Sequence, residues 1–196
     1  MSYVSGLKMQ LNPPQDMDVI AESTLLDELL EGYREQLAED YAAYRNHCMR
    51  VFNYCSALAG AEAAAAENKI IIAAVFHDLG IWTENTFDYL QPSQLLAQRY
   101  LEKSFKESWC KEIEAMIGEH HKLTRYQANP SWLVEAFRKA DRIDLSGGLL
   151  RYRLKDDFVS DVLDAFPNAG FHAMLVRLAV KRLQSHPLNP LPMMKW

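Results

Sequence analysis

The chain has 196 residues, enough for one domain with a buried core, and its composition, 49% hydrophobic and 24% charged, excludes an intrinsically disordered chain. Its three cysteines include no Cys-x-x-Cys pair, which argues against a disulfide framework and a thiolate zinc site. The first residues contain no apolar segment typical of a signal peptide, and the longest apolar run, residues 70–76, is too short to span a bilayer. We therefore expect a cytoplasmic protein that does not enter a membrane.

The formal net charge of −5 conceals an uneven distribution along the chain. Residues 1–41 carry two basic and nine acidic side chains, whereas residues 120–155 carry eight basic and three acidic ones. An acidic chain with a local basic segment favours a small anionic ligand over a long nucleic acid. The alternative interpretation is that these charges belong to solvated helix faces.

The hydrophobic spacing is helical through most of the chain. It predicts one domain over residues 21–186, an N-terminal tail over 1–20 and an extended C-terminal tail over 187–196. The first predicted helix begins at a capping box of Thr24 and Asp27, and two further helical segments cover 44–55 and 61–66. A buried helix is predicted over 69–79 and ends at Gly80, and further helices begin at Pro92 and at Ser108. The next helical segment opens at 129–131 and ends at Gly147, and the last helix covers 171–184 and stops before Pro187. No alternating β-strand pattern occurs, so the predicted class is all-α.

The pair His77-Asp78 lies at the end of the most apolar predicted helix. Burying two ionisable groups is costly unless something compensates them, and a divalent cation would compensate both. Adjacent residues of an α-helix diverge by about 100°, so both side chains can reach one ion only near a helix end. Gly80 is placed to provide that end.

Four segments of the chain resemble, in the same order, the motifs of the HD superfamily. They are Tyr-Arg-Asn-His-Cys-Met-Arg-Val (44–51), Ala-Val-Phe-His-Asp-Leu-Gly (74–80), Ile-Gly-Glu-His-His (117–121) and Lys-Ala-Asp-Arg-Ile-Asp (139–144). The resemblance covers about half of the chain. It implies an HD-type helical bundle that binds a metal, often with phosphohydrolase activity on nucleotides or other phosphoesters.

The same resemblance implies the metal ligands His47, His77, Asp78 and Asp141. Two nitrogens and two carboxylates suit one divalent transition metal, Mn, Fe, Co or Ni, with Zn as a further candidate. Such an ion polarises a phosphoryl oxygen and lowers the pKa of a water molecule.

The remaining candidates are assigned by their position near these motifs. Asp78, His120 and Glu84 are the candidate catalytic residues, with His120 in the wall of the site as a proton donor and Glu84, or alternatively Glu119, as a general base. The candidate substrate-binding residues are Lys122, Arg125, Arg142 and His121. His121 is expected nearer the rim, and neither histidine is expected to create a second full metal site, because adjacent helical residues point apart.

The leading hypothesis is therefore a mononuclear metal phosphohydrolase acting on a small phosphorylated metabolite or nucleotide, a small anionic substrate. The family's guanosine-tetraphosphate hydrolases carry a Glu-Asp pair shortly after the His-Asp motif, and its absence here argues against that branch. Dinuclear branches usually have a further histidine between the two motifs, and none lies between Asp78 and His120, which argues against a diiron site. The alternatives are a non-phosphate HD enzyme, either a diiron oxygenase or a cyanamide-hydratase-like enzyme, and a catalytically silent, metal-stabilised binding protein. A homodimer is compatible with the sequence.

Overall fold

Helices provide all the regular secondary structure of residues 18–195, the part of the chain that this computed structural model describes. The α-helices of this part are α1 (Thr24–Glu31), α2 (Arg34–Leu37), α3 (Tyr41–Ala59), α4 (Ala63–Phe76), α5 (Gly80–Thr83), α6 (Leu90–Lys103), α7 (Cys110–Glu119), α8 (Val134–Leu145), α9 (Asp156–Ala165) and α10 (Phe171–Ser185). Three-residue 3-10 helices lie at Ala38–Asp40, Gly60–Glu62 and Glu107–Trp109. The predicted all-α class is confirmed, since the described residues contain no β-strand and only an isolated bridge between Lys122 and Lys195.

The centre of the fold is α3, which packs against α4 and α8, while α7 packs against α4, α6 and α8. Most side chains of α3 from Ala43 to Leu58 are buried, and so is the last half of α4. A helix buried on all sides must place its polar side chains inside the protein, where they need partners. Within the described part, no helix is long and apolar enough to cross a membrane.

Several predicted helix boundaries are displaced by one to four residues. The N-cap of α1 is Ser23, whose Oγ accepts the Leu26 amide at 3.4 Å, rather than the predicted Thr24. Ser108 lies inside a 3-10 turn, and α7 starts two residues later. The helix predicted from 129–131 begins only at Val134.

Gly80 does not end the buried helix, which stops at Phe76; instead it opens α5. A glycine is needed here because of close packing rather than an unusual φ. A Cβ at this position would lie 2.6 Å from the Tyr89 carbonyl oxygen and 2.9 Å from Pro92 Cβ. The close approach brings the start of α6 against the turn that carries His77 and Asp78.

The C-terminal part contains one unpredicted helix, α9, and the predicted last helix, α10, which is confirmed. The segment after α10 is not helical and returns to the bundle, where the Leu123 amide donates to the Lys195 carbonyl at 2.7 Å. Most of the predicted N-terminal tail, residues 1–17, lies outside the described residues, as does Trp196.

Candidate metal centre

Six histidine and aspartate side chains meet in the middle of the bundle. They come from the middle of α3, from the turn after α4, from the turn after α7 and from α8, and they are His47, His77, Asp78, His120, His121 and Asp141. All but His121 are at most 3% exposed, and the His121 side chain is 14% exposed. The four predicted ligands therefore lie together, and the two later histidines lie beside them.

Local hydrogen bonds fix the ring orientation of three of these histidines. Each binds an oxygen through its Nδ1: His47 binds Asp144 Oδ2 at 2.6 Å, His77 binds the Ala74 carbonyl at 2.8 Å, and His120 binds the Ile117 carbonyl at 2.6 Å. A carbonyl oxygen or an ionised carboxylate only accepts, so each Nδ1 must donate the proton. A neutral imidazole that donates through Nδ1 carries its lone pair on Nε2, the atom that binds a metal.

The Nε2 atoms of His47 and His77 face each other at 2.9 Å. With both Nδ1 atoms donating, two lone pairs point into the same space, an arrangement that a cation between them would stabilise. Asp78 Oδ2 lies 3.6 Å from His47 Nε2 and 3.4 Å from His77 Nε2, and Asp141 Oδ1 lies 3.9 Å from each. Ligand atoms of one ion bound at about 2.1 Å are separated by about 3 Å or more, so this donor set fits a single divalent metal.

The buried atoms without partners also fit a metal. Asp78 Oδ1, His120 Nε2 and both carboxylate oxygens of Asp141 have no hydrogen bond among the described residues. Buried polar atoms are almost always paired, so four unpartnered polar atoms in one place, three of them carboxylate oxygens, indicate a cation-binding site.

The second oxygen of each aspartate faces one of the two later histidines. Asp78 Oδ1 lies 3.5 Å from His120 Nε2, and Asp141 Oδ2 lies 3.7 Å from His121 Nδ1. Both rings reach the cluster because α7 ends at Glu119, so the two residues lie beyond regular helix; their ring centroids are 3.9 Å apart. His120, His121 and Asp141 thus form a second group that could hold an ion.

Burial and mutual charge shift the ionisation of the centre. Burial lowers the pKa of His77 to about 3, although Asp78 opposes this effect, so the ring is neutral and ready to act as a ligand. Burial would raise the pKa of Asp78, but His77 and the His120 ring, whose Nε2 lies 3.5 Å from Oδ1, lower it overall. Burial raises the pKa of Asp141 against the opposing effect of His120 and His47.

The sequence model of the HD domain matches residues 44–146, which include every residue of this cluster. The chain belongs to the HD domain family. Proteins of this family are usually metal-dependent and hydrolase-like, in agreement with the buried His/Asp cluster. Neither the curated proteins nor the solved structures give a match to this chain.

This HD domain also contains a buried support for His47 that the sequence analysis missed. Asp144 is fully buried and accepts from His47 Nδ1 and from Arg50, through the guanidinium Nε and through Nη2 at 3.0 Å. Arg50 in turn donates to the Phe166 carbonyl at 2.8 Å. The available signal was the spacing, since Arg50 follows His47 by three residues and Asp144 follows Asp141 by three, which places each pair on one helix face.

Tyr89 is a second residue that the sequence analysis missed. It is 1% exposed, and its hydroxyl shares a 2.7 Å hydrogen bond with His121 Nε2. It lies in the loop before α6, where no periodic pattern singles it out. This hydrogen bond holds the His121 ring with Nδ1 toward Asp141.

The other predicted site residues lie further from the HD cluster. Arg142 Nη2 donates to the Lys122 carbonyl at 2.8 Å, and Lys122 Nζ lies 4.0 Å from Glu119. Arg125 is exposed and lines a surface cavity, and Glu84 is exposed at the end of α5. Within residues 18–195, no hydrogen bond or ion pair connects Arg125, Arg142 or Glu84 to the cluster.

Proposed function

We propose that this HD domain catalyses metal-dependent hydrolysis of a phosphoester in a small phosphorylated metabolite or nucleotide. The observation that supports this most is the donor set of His47, His77, Asp78 and Asp141, with lone pairs and unpartnered oxygens directed at one point. The divalent transition metal that such a set would hold, Mn, Fe, Co, Ni or Zn, polarises a phosphoryl oxygen and lowers the pKa of water.

The residues around the donor set have separate tasks in this proposal. Asp144 orients His47, and Tyr89 orients His121. Burial alone would lower the pKa of His120, but the Asp78 carboxylate, 3.5 Å from its Nε2, and the charge of Asp141 raise it. We therefore assign His120, in its protonated form, as the group that protonates the leaving oxygen, a role that a raised histidine pKa favours.

A non-phosphate HD enzyme is the second candidate, and two observations favour it. Arg50 approaches the centre through Asp144, which also binds the candidate ligand His47, and Arg142 is bound to a backbone carbonyl instead. A centre with few cations suits a small neutral substrate such as a nitrile. The pairing of His120 and His121 with the second aspartate oxygens also suits a dinuclear oxygenase.

Elemental analysis of gently purified protein, followed by a substrate panel with that metal restored, distinguishes these candidates. We expect phosphate release from a nucleotide monophosphate or another small phosphoester, and no release after Asp141→Asn. The matched control is Asp164→Asn, an exposed carboxylate on α9. Hydration of cyanamide without phosphate release from any phosphoester would replace the phosphohydrolase by the hydratase.

A further inference from the structure

A cavity of about 410 Å³ opens on the side of the bundle formed by the end of α3, the start of α8 and the loops at 125–133 and 152–153. Its volume is in the usual range of small-molecule sites. None of its lining residues belongs to the metal cluster. Some of its lining residues belong to the basic segment, residues 120–155, that the sequence analysis associated with an anionic ligand.

The helices that line the cavity separate it from the metal centre. Leu58 lines it, eleven residues after His47 on the same helix, which is about 16 Å along the axis. Lys139 precedes Asp141 by two residues on α8, so their side chains point about 160° apart around the helix. A ligand in this cavity therefore cannot reach the metal cluster, and the two sites are distinct.

Three cations line the cavity, Arg125, Lys139 and Arg153, against the carboxylates of Glu62 and Glu135. Glu135 is shared by two cations, because Arg138 donates two hydrogen bonds of 2.8 Å to it and Lys139 Nζ lies 3.5 Å from its Oε1. Arg125 has no hydrogen-bond or ion-pair partner among the described residues and is exposed. The cavity therefore offers an excess of positive charge to a ligand.

Two aromatic side chains provide flat apolar walls beside these cations. Tyr152 is 44% exposed, has a φ of +51° and lies with its ring centroid 5.3 Å from Lys139 Nζ. Trp132 is half-buried on the other loop. A left-handed conformation is costly for a tyrosine, and such strain is often kept where a side chain must face a ligand.

We propose that this cavity is an accessory binding site for a nucleoside phosphate, separate from the metal centre and independent of its reaction. Arg125, Lys139 and Arg153 would bind the phosphate, Arg125 in bidentate fashion, and Tyr152 with Trp132 would stack on the base. Arg153 is already oriented for this task, because its guanidinium donates to the Leu58 carbonyl.

Calorimetric titration of the metal-loaded protein with ADP, inorganic phosphate and adenosine tests this proposal. We expect ADP to bind at least about tenfold more tightly than either fragment, since one good stacking contact corresponds to about that factor. Arg125→Ala should weaken ADP binding about tenfold, whereas Arg177→Ala, an exposed arginine on α10, should leave it unchanged. Tyr152→Ala should weaken the binding of ADP and not that of phosphate.

The control for the metal centre is the same titration after chelation, in which ADP binding should persist. Loss of ADP binding on chelation together with full binding by Arg125→Ala would assign the nucleotide to the metal centre and overturn the proposal. Equal affinities for ADP and phosphate, or no saturable ADP binding, would also overturn it. Thermal melting of each variant, expected to be unchanged for Arg125→Ala, separates lost binding from lost folding.

Discussion

The carboxylates on the two faces of α8 differ in whether they have hydrogen-bond partners. On the inner face, Asp141 is 1% exposed and neither of its oxygens has a hydrogen-bond partner among the described residues. On the outer face, Glu135 is bound by Arg138 through two hydrogen bonds and accepts the Tyr126 amide at 3.0 Å. A carboxylate is expensive to bury, yet the more deeply buried one is the one without partners. The difference indicates that the inner-face carboxylate is available to a ligand, whereas the outer-face carboxylate is bound within the chain.

Asp144 shares the inner face with Asp141 but has all its partners inside the chain. Burial would raise its pKa, but the His172 ring, whose Nε2 lies 3.6 Å from Oδ2, and hydrogen bonds from His47 and Arg50 lower it well below the usual range. A permanently ionised Asp144 orients His47, while Asp141 stays available. The inner face therefore combines one carboxylate that binds a metal with one that positions a histidine.

The largest effect is expected from His77→Ala, which removes a fully buried candidate ligand that faces Asp141 from the turn after α4. We expect the metal content to fall from at least about one equivalent to a small fraction, with a loss of several kcal/mol of folding free energy, because metal binding and folding are coupled. Elemental analysis and thermal melting measure both. His186→Ala, an exposed histidine after α10, is the control. Full metal occupancy in the His77 variant would make the ligand assignment wrong.

Asp144→Asn tests whether this residue positions His47 rather than only filling space. We expect metal affinity to fall by about 10- to 100-fold, as for other partners of metal-bound histidines. The folding free energy should fall on the order of 3 kcal/mol, because Arg50 would keep a buried charge without its counter-ion. Competition against a fluorescent chelator measures the affinity of the folded variant. Asp156→Asn removes the exposed pair with Arg151 and should change neither quantity by much. A destabilised Asp144 variant with unchanged affinity would show a purely structural role.

The pH dependence of metal binding gives an effect of intermediate size. Burial raises the pKa of Asp141 to about 6, so below that pH a proton must leave this carboxyl before a metal can bind. The pKa of His77 is lowered to about 3, so this ring does not compete until far more acidic conditions. We expect metal affinity to be constant above about pH 7 and to fall by up to about tenfold per pH unit below about pH 6. A titration series across this range measures it, and an affinity that stays constant down to about pH 5 would contradict the assignment of Asp141 as a ligand.

The sequence was sufficient to predict the all-α class and to single out the four residues His47, His77, Asp78 and Asp141, which the structure brings together. Their motifs carry the information locally, since each ligand is placed by its own helix and its own apolar neighbours. The approach of both His120 and His121 was harder to predict, because it depends on α7 ending at Glu119 and not one residue later. A boundary of that precision is not contained in the hydrophobic spacing.

Two other features could not be predicted for related reasons. Helix α9 buries only Val159 and Val162 among ten residues, so its apolar stripe is too sparse to mark a helix. The loop that carries Arg125 has no periodic pattern, and its path away from the metal centre depends on long-range contacts such as that of Leu133 N with Glu112 Oε1 at 3.0 Å. The basic segment identified from the sequence therefore includes cations, such as Arg125, that the fold places away from the metal centre.

The smallest effect is expected from Glu135→Gln on the outer face of α8. The variant keeps the shape of the side chain but weakens its two hydrogen bonds with Arg138, which is 4% exposed. We expect a loss of about 1 kcal/mol of folding free energy, more than for a fully exposed pair because Arg138 is buried, and less than for Asp144→Asn because Glu135 is in partial contact with water. Metal affinity should be unchanged, since Glu135 is not among the histidine and aspartate residues that could hold the metal. Chemical denaturation and the same chelator competition provide the two measurements, with Glu102→Gln on α6 as a control whose exposed carboxylate accepts a hydrogen bond from Gln98. If Glu135→Gln lowered metal affinity as much as Asp144→Asn, the two faces of α8 would not be independent, and the accessory site proposed on the outer face would have to be coupled to the metal centre.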